Sequence, residues 1–281
     1  MVYAKYGEIF KKIRVQNKFL LTDFETINIS KSVISKFERG ETMISFEKLF
    51  FALDMMGVTL RDYEYYLNNS TISESEYLVN QVLIAELQQN TEKLALLKDQ
   101  AESVDWKIAL VIKSIEEPLS LSDKNKLHNY FLSLKASWYY SDLCLFFLSI
   151  HELRTEDILN ILRLFFLENH PILQSERGIY YVVKSCCRAI TLLSFRNRKE
   201  EANEIIISIQ AIYHQESMYL NNLLRFCKGF WLYKFEDKFV GDSMMVQSLN
   251  IFKELCPSYI AKYYQDKYER YVSSNTKLRG E

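Results

Sequence analysis

The chain has 281 residues and a formal net charge of −1. Near-neutrality excludes a global field that would gather nucleic acid or an anionic surface, so electrostatic binding has to come from a local patch. Only 7 Gly and 3 Pro punctuate a sequence that is 48% hydrophobic and carries 19 Tyr and 18 Phe, which predicts an all-α protein with short connections.

The first segment reads as five short helices. Gly7 to Asn17 places Ile9, Phe10 and Ile13 at helical spacing. A second short helix follows at Leu21 to Thr26. Ser30 is the predicted cap of a third, Lys31 to Glu38, in which apolar Val33, Ile34 and Phe37 alternate with Ser32, Ser35 and Lys36. Ser45 caps a fourth, where Phe46, Leu49, Phe50, Leu53 and Met56 repeat at three and four residues until Gly57 stops it. Thr59 and Asp62 form a capping box that opens the fifth.

The third helix has the build of a recognition helix. One face belongs to a small core of Phe24, Val33, Ile34, Phe37, Leu49 and Leu53. The other offers short hydroxyls and a cation of a size that reaches base edges in the major groove. Ser32, Ser35 and Lys36 are therefore the expected groove face, and Lys11, Arg14 and Arg39 the expected phosphate contacts. Residues 1–66 hold ten Lys/Arg against nine Asp/Glu. A protein-binding five-helix module remains the alternative.

The polar run from Asn68 to Ser73 marks a linker at 67–73, dividing a segment of residues 1–66 from one of residues 74–281. Beyond it, about eleven helices are predicted at 74–89, 91–102, 105–117, 122–134, 140–153, 156–168, 175–194, 199–214, 217–235, 242–255 and 258–272. Pairs recur every ~35–45 residues, the spacing of an α-solenoid of degenerate helical hairpins; an irregular helical domain is the alternative.

No catalytic or metal pattern emerges. His151-Glu152 is followed by Thr155 where a zinc helix needs His, and the histidines at 128, 151, 170 and 214 lack ligand spacing. There is no Gly-rich phosphate loop, so neither an enzyme nor a cofactor is expected. Five cysteines, odd in number and without a C-x-x-C pair, imply free thiols in a reducing cytosol. The N-terminus lacks the apolar stretch of a signal peptide, and no run is long enough for a transmembrane helix.

An extended apolar peptide needs aromatic walls and side chains that hold amides or a terminal carboxylate. In the helical remainder the candidates are Arg154, Arg163, Tyr180, Tyr181, Lys184, Arg188, Asn222, Arg225, Phe226 and Tyr233. Lys184 and Arg188 share a helix face. Ordinary helix packing is the competing account of each. A tyrosine stripe, Tyr259, Tyr263, Tyr264, Tyr268 and Tyr271, reads as a dimer contact, an end cap or core.

G-E-I-F-K-K-I-R at Gly7 to Arg14, I-S-K-S-V-I-S-K-F-E-R-G-E at Ile29 to Glu41 and I-S-F-E-K-L at Ile44 to Leu49 carry a resemblance. S-I-E-E-P at Ser114 to Pro118, L-x-x-Y-F at Leu127 to Phe131, W-Y-Y at Trp138 to Tyr140 and L-N-I-F-K-E-L at Leu249 to Leu255 extend it. The chain resembles the Rgg family of bacterial transcriptional regulators, strongly over its first 65 residues and loosely beyond. The resemblance implies a cytoplasmic homodimer in which an XRE-type helix-turn-helix domain binds promoter DNA. It also implies a TPR-like repeat domain that binds a short apolar signalling peptide of quorum-sensing type. Arg14, Lys31, Ser32, Ser35, Lys36 and Arg39 fall on motif positions. Many members carry polar Asn or Arg in the helix after W-Y-Y; here that helix is apolar until His151 and Arg154. That departure leaves open a regulator without a peptide ligand, beside a helical-repeat interaction scaffold.

Overall fold

The computed structural model describes residues 4–67, 73–135, 137–167, 171–213 and 217–273. These form fifteen α-helices and three short 3-10 turns, with no strand among the described residues. The chain folds as two compact units, Met1–Glu74 and Ser75–Glu281. Most of the expected linker, residues 68–72, lies outside the described residues, as do His170 and His214.

In the first unit α1 (Ala4–Gln16), α2 (Lys31–Glu38), α3 (Phe46–Met55) and α4 (Leu60–Leu67) surround one small core. The second predicted helix is a 3-10 turn, Asp23–Ile27, too short for α-helical nucleation to be repaid by propagation. Phe10 meets Phe24 and Phe37 at 5.8 and 5.5 Å between ring centroids, and Ile13, Ile34 and Leu53 close the core beneath them. Val33 and Leu49 pack at its edge. Tyr63 donates to the Tyr6 carbonyl at 2.8 Å and so ties α4 to α1. The Thr59–Asp62 capping box is formed, with the Thr59 amide on Asp62 at 2.9 Å and the Asp62 amide on Thr59 at 3.1 Å. Gly57 ends α3 in the left-handed region at φ 68°. The buried face of α3 is narrower than the expected one: Leu53 and Met56 are inside, joined by Ala52, while Phe46 and Phe50 are exposed.

The second unit comprises α5 (Glu74–Leu87), α6 (Thr91–Val104), α7 (Trp106–Glu116), α8 (Leu121–Leu134), α9 (Tyr140–Ser149), α10 (Thr155–Leu167), α11 (Glu176–Phe195), α12 (Lys199–Ile212), α13 (Met218–Phe235), α14 (Lys238–Leu255) and α15 (Ser258–Val272). Contacts run α7 to α9 to α11 to α13 in one layer and α8 to α10 to α12 in the other. That alternation is the two-layer stacking of an α-solenoid of TPR-like hairpins.

Two helix starts differ from the sequence reading. Ser120, not Ser122, caps α8 by accepting the Asp123 amide at 3.1 Å. Helix α14 begins at Lys238, earlier than the predicted 242, because Asp237 accepts the amides of Phe239 and Val240 at 2.9 and 3.0 Å. Gly241 therefore lies inside the helix. A Cβ there would lie 2.2 Å from the Tyr233 amide nitrogen and 2.5 Å from the Gly229 carbonyl oxygen, so α13 and α14 approach backbone to backbone.

The tyrosine stripe of α15 turns inward. Tyr263 and Tyr264 are buried, Tyr264 stacks on Phe252 at 4.4 Å, and Tyr271 stacks on Phe230 at 4.1 Å. Tyr259 is the exposed member. Cys144, Cys186, Cys187 and Cys227 are buried free thiols, and Cys256 is half-buried and free.

Candidate functional site

Helix α2 divides as its sequence requires. Ile34 and Phe37 are fully buried, and Lys31, Ser32 and Lys36 are exposed. Ser30 stands at the N-cap, but its hydroxyl makes no capping bond, which leaves one more free hydroxyl beside Lys31 and Ser32. Ser35 is half-buried and accepts a hydrogen bond from Arg39, whose guanidinium also grips Glu41 at 2.6 Å. The Glu41 carboxylate raises the Arg39 pKa, and Arg39 lowers that of Glu41. Arg39 thus reaches solvent already paired. Lys36 and Lys11 are exposed, with no ion pair to either among the described residues.

Arg14 corrects the expectation of a phosphate contact. It is buried, and each of its nitrogens is committed: Nε to Glu38 Oε1 at 2.6 Å, Nη2 to Glu38 Oε2 at 2.9 Å, and Nη1 to the Phe19 carbonyl at 2.7 Å. The bidentate fork locks α1 to the C-terminal end of α2. It orients the helix rather than meeting a ligand.

In the second unit, Lys184, Arg188 and Phe226 line one cavity of ≈ 30 Å³, together with Phe147, Leu223 and Lys267. Helix α11, buried along nearly its whole length, supplies the two basic side chains. Arg188 donates to the Phe147 and Leu148 carbonyls at 2.8 and 3.3 Å, neutralising the end of α9. It also binds Glu86 of α5 at 2.5 Å and Tyr263 of α15 at 2.9 Å. Burial works against its charge, but Glu86 and Tyr263 hold the Arg188 pKa above its ordinary value. Burial pulls Lys184 down to about 8 against the opposing effect of Glu86, and burial with Arg188 nearby brings Lys267 to about 8. Burial pushes Glu86 up, yet Arg188 and the neighbouring lysines hold it below its usual value overall.

An open groove of ≈ 360 Å³ is lined by Tyr140, Glu176, Arg177, Tyr180 and Tyr181. The Lys184 ammonium lies 5.3 and 5.1 Å from the rings of Tyr180 and Tyr181, so it stands between this groove and the cavity. Arg177 stacks on Tyr140 at 4.4 Å and pairs with Glu76 at 2.7 Å.

The other sequence candidates are not brought to this place. Arg154 binds Asp157 at 2.8 Å and His128 at 3.0 Å, and Arg163 forks onto Glu204 at 2.6 and 2.7 Å, all in the layer of α8, α10 and α12. Asn222 is buried and donates to the Ser248 carbonyl at 2.9 Å. Arg225 binds Gln247, and Tyr233 lies 5.2 Å beneath the Lys238 ammonium. These five knit neighbouring helices together. Glu86, Phe147, Leu223, Tyr263 and Lys267 were not foreseen, because their partners lie on helices far away in sequence. The apolar α9 is core: Leu143 to Ser149 are all buried. Its lack of polar residues follows from its central position.

Among the described residues no group of three His, Cys, Asp or Glu side chains is placed to hold a metal, and no helix is long and apolar enough to cross a membrane.

A family model described as the C-terminal domain of the HTH-type transcriptional regulator Rgg matches residues 61–266, and a helix-turn-helix model matches residues 10–63. No curated protein matches the chain. Among solved structures, the chain is similar to the SHP pheromone receptor Rgg2 of Streptococcus dysgalactiae, with 20% identity, TM-score 0.76, and coverage of 95% of this chain and 100% of that one. It is similar to a putative transcriptional regulator from Listeria monocytogenes EGD-e, with 15% identity, TM-score 0.77, and coverage of 96% and 98%. It is also similar to Bacillus thuringiensis PlcR in complex with the peptide PapR7 and DNA, with 17% identity, TM-score 0.66, and coverage of 96% and 99%.

Proposed function

The chain belongs to the Rgg family of helix-turn-helix transcriptional regulators, and from that premise we propose that it acts in the cytoplasm as a homodimer that binds promoter DNA and responds to a short signalling peptide. Residues 1–66 bind the duplex, residues 74–281 sense the peptide and hold the dimer, and residues 67–73 join them. The observation that carries the reading is the division of α2. Its apolar face is fixed by Ile34 and Phe37, while Lys31, Ser32 and Lys36 stand free at the surface. Such a helix presents hydroxyls and cations to base edges and phosphates. Lys11 supports it from α1, and Arg39 joins the face once a phosphate competes with Glu41.

The peptide part is supported by the aromatic groove and the cation-lined cavity next to it. It is supported also by the structural neighbours, one being a pheromone receptor and another solved with peptide and DNA. The peptide acts by favouring one arrangement of the dimer over another, which changes the spacing of the paired recognition helices. Near-neutral charge in residues 1–66 makes the pairing necessary, since a single copy offers few cations to the phosphates.

The test is duplex binding across a salt series, with Lys36→Ala beside the wild-type chain. The logarithmic slope should become shallower by about 0.9 for each phosphate that the variant no longer neutralises. Equal slopes and affinities remove Lys36 from the interface. Calorimetry with synthetic peptides from neighbouring small reading frames tests the sensing half, and failure of all of them to bind counts against it.

A further inference from the structure

One cavity of the repeat domain has three cations and no carboxylate in its wall. Lys184, Arg188 and Lys267 line one cavity, and Glu86 is the carboxylate set among them. Lys184 is 3% exposed, and its ammonium has no hydrogen-bond acceptor among the described residues. It rests over aromatic rings, closest to Phe147 at 4.4 Å. The ammonium is not shut off from solvent, and Lys184 lines a cavity with two further cations and no carboxylate in its wall. Glu86 is itself half satisfied: Oε1 takes Arg188 at 2.5 Å and the Tyr263 hydroxyl at 2.7 Å, while Oε2 is buried without a partner.

The same carboxylate is a clasp. It joins α5, the first helix after the connection to the DNA-binding unit, to α15, the last helix of the described chain. Gln89 doubles the link by donating to Asp266 at 2.7 Å. The cavity, at ≈ 30 Å³, has room for a water-sized group. A ligand larger than that enters by displacing a side chain, and Glu86 is the group whose chemistry a carboxylate reproduces.

We infer that Lys184, Arg188 and Lys267 form a carboxylate-binding site in which Glu86 is the resident stand-in, and that a ligand carboxylate takes the cations from Glu86 and so releases α5 from α15. This deepens the peptide reading and rests on it: the ligand is a chain with a free terminal carboxylate next to an apolar side chain, which Phe147, Leu223 and Phe226 would surround. An amidated terminus would leave the Lys184 ammonium unanswered.

Chemical rescue of Glu86→Gln tests the site. Melting of the full chain is followed in sodium acetate and in sodium chloride at equal ionic strength. Acetate should raise the melting temperature of Glu86→Gln by about 2–4 °C over chloride. It should have no such effect on the wild-type chain or on the variant that also carries Lys184→Met. Identical curves in acetate and chloride for Glu86→Gln overturn the proposal. Should that variant fail to fold, amide hydrogen exchange in the wild-type chain decides. N-acetylphenylalanine should speed exchange across α5 and its amide, N-acetylphenylalaninamide, should not; equal exchange with both overturns the proposal. Neither arm uses DNA or a signalling peptide. A failed rescue therefore removes the carboxylate site and leaves peptide sensing standing, whereas a failure of every peptide to bind leaves the rescue result intact.

Discussion

Arg14→Ala separates a structural role for this arginine from a DNA contact. Its side chain and that of Glu38 are 10% and 5% exposed, and the fork between them closes at 2.6 and 2.9 Å. Removing the arginine leaves Glu38 charged and buried and frees the Phe19 carbonyl of its 2.7 Å partner. Breaking a buried pair from one side costs about 3–5 kcal/mol. A unit of this size has a stability on the order of 3–5 kcal/mol, so the substitution should unfold most of it. Urea denaturation of the full chain should lose its first transition at low denaturant while the transition of the repeat domain stays in place. Duplex affinity should fall with the folded fraction, and the salt slope of the molecules that still bind should be unchanged. Replacing both partners, Arg14→Met with Glu38→Leu, should recover most of the stability and the binding, because no charge is then stranded. A variant Arg14→Ala that keeps its stability and instead flattens the salt slope by about 0.9 would make Arg14 a phosphate contact, since that is the behaviour of a residue that neutralises a phosphate.

Other outcomes follow from the repeat domain. Gly241→Ala should destabilise it by about 1–3 kcal/mol in urea, because the new Cβ meets backbone on α13 that cannot rotate aside. Lys184→Met should raise stability at neutral pH by ~0.5–2 kcal/mol while weakening carboxylate ligands, as expected for a charge kept for binding. Lys184 and Lys267 titrate at about 8, below the ordinary 10.5, so between those values the unfolded chain holds more protons than the folded one. Stability of the wild-type repeat domain should therefore rise with pH across that window, while calorimetric affinity for a carboxylate-bearing peptide falls as pH passes 8.

The helix Lys31–Glu38 and its buried face were legible because their signal is local. Val33, Ile34 and Phe37 recur at helical spacing within one element, and the side chains between them are short and polar. The two-layer solenoid was legible for the same reason, repeated along the chain. Errors arose where a local cue had a tertiary purpose. The predicted start at 242 leaves out Gly241, which serves close packing inside α14; Phe46 and Phe50 continue an apolar repeat yet face outward. Arg14 sits on a motif position but finds Glu38, 24 residues away. The cation cluster was half visible: Lys184 and Arg188 share a helix face, whereas Glu86 and Tyr263 are 177 residues apart. No periodicity joins such residues; stacking of the first, middle and last helices does.

Duplex binding with and without peptide asks whether one chain both binds promoter DNA and senses a peptide. A labelled duplex from the region upstream of the gene is titrated with the full chain, alone and with a synthetic peptide at a concentration that calorimetry shows to be saturating. Binding should be salt-steep, and its affinity should shift by about 5-fold or more when the peptide is bound. Superimposable isotherms under those conditions contradict it.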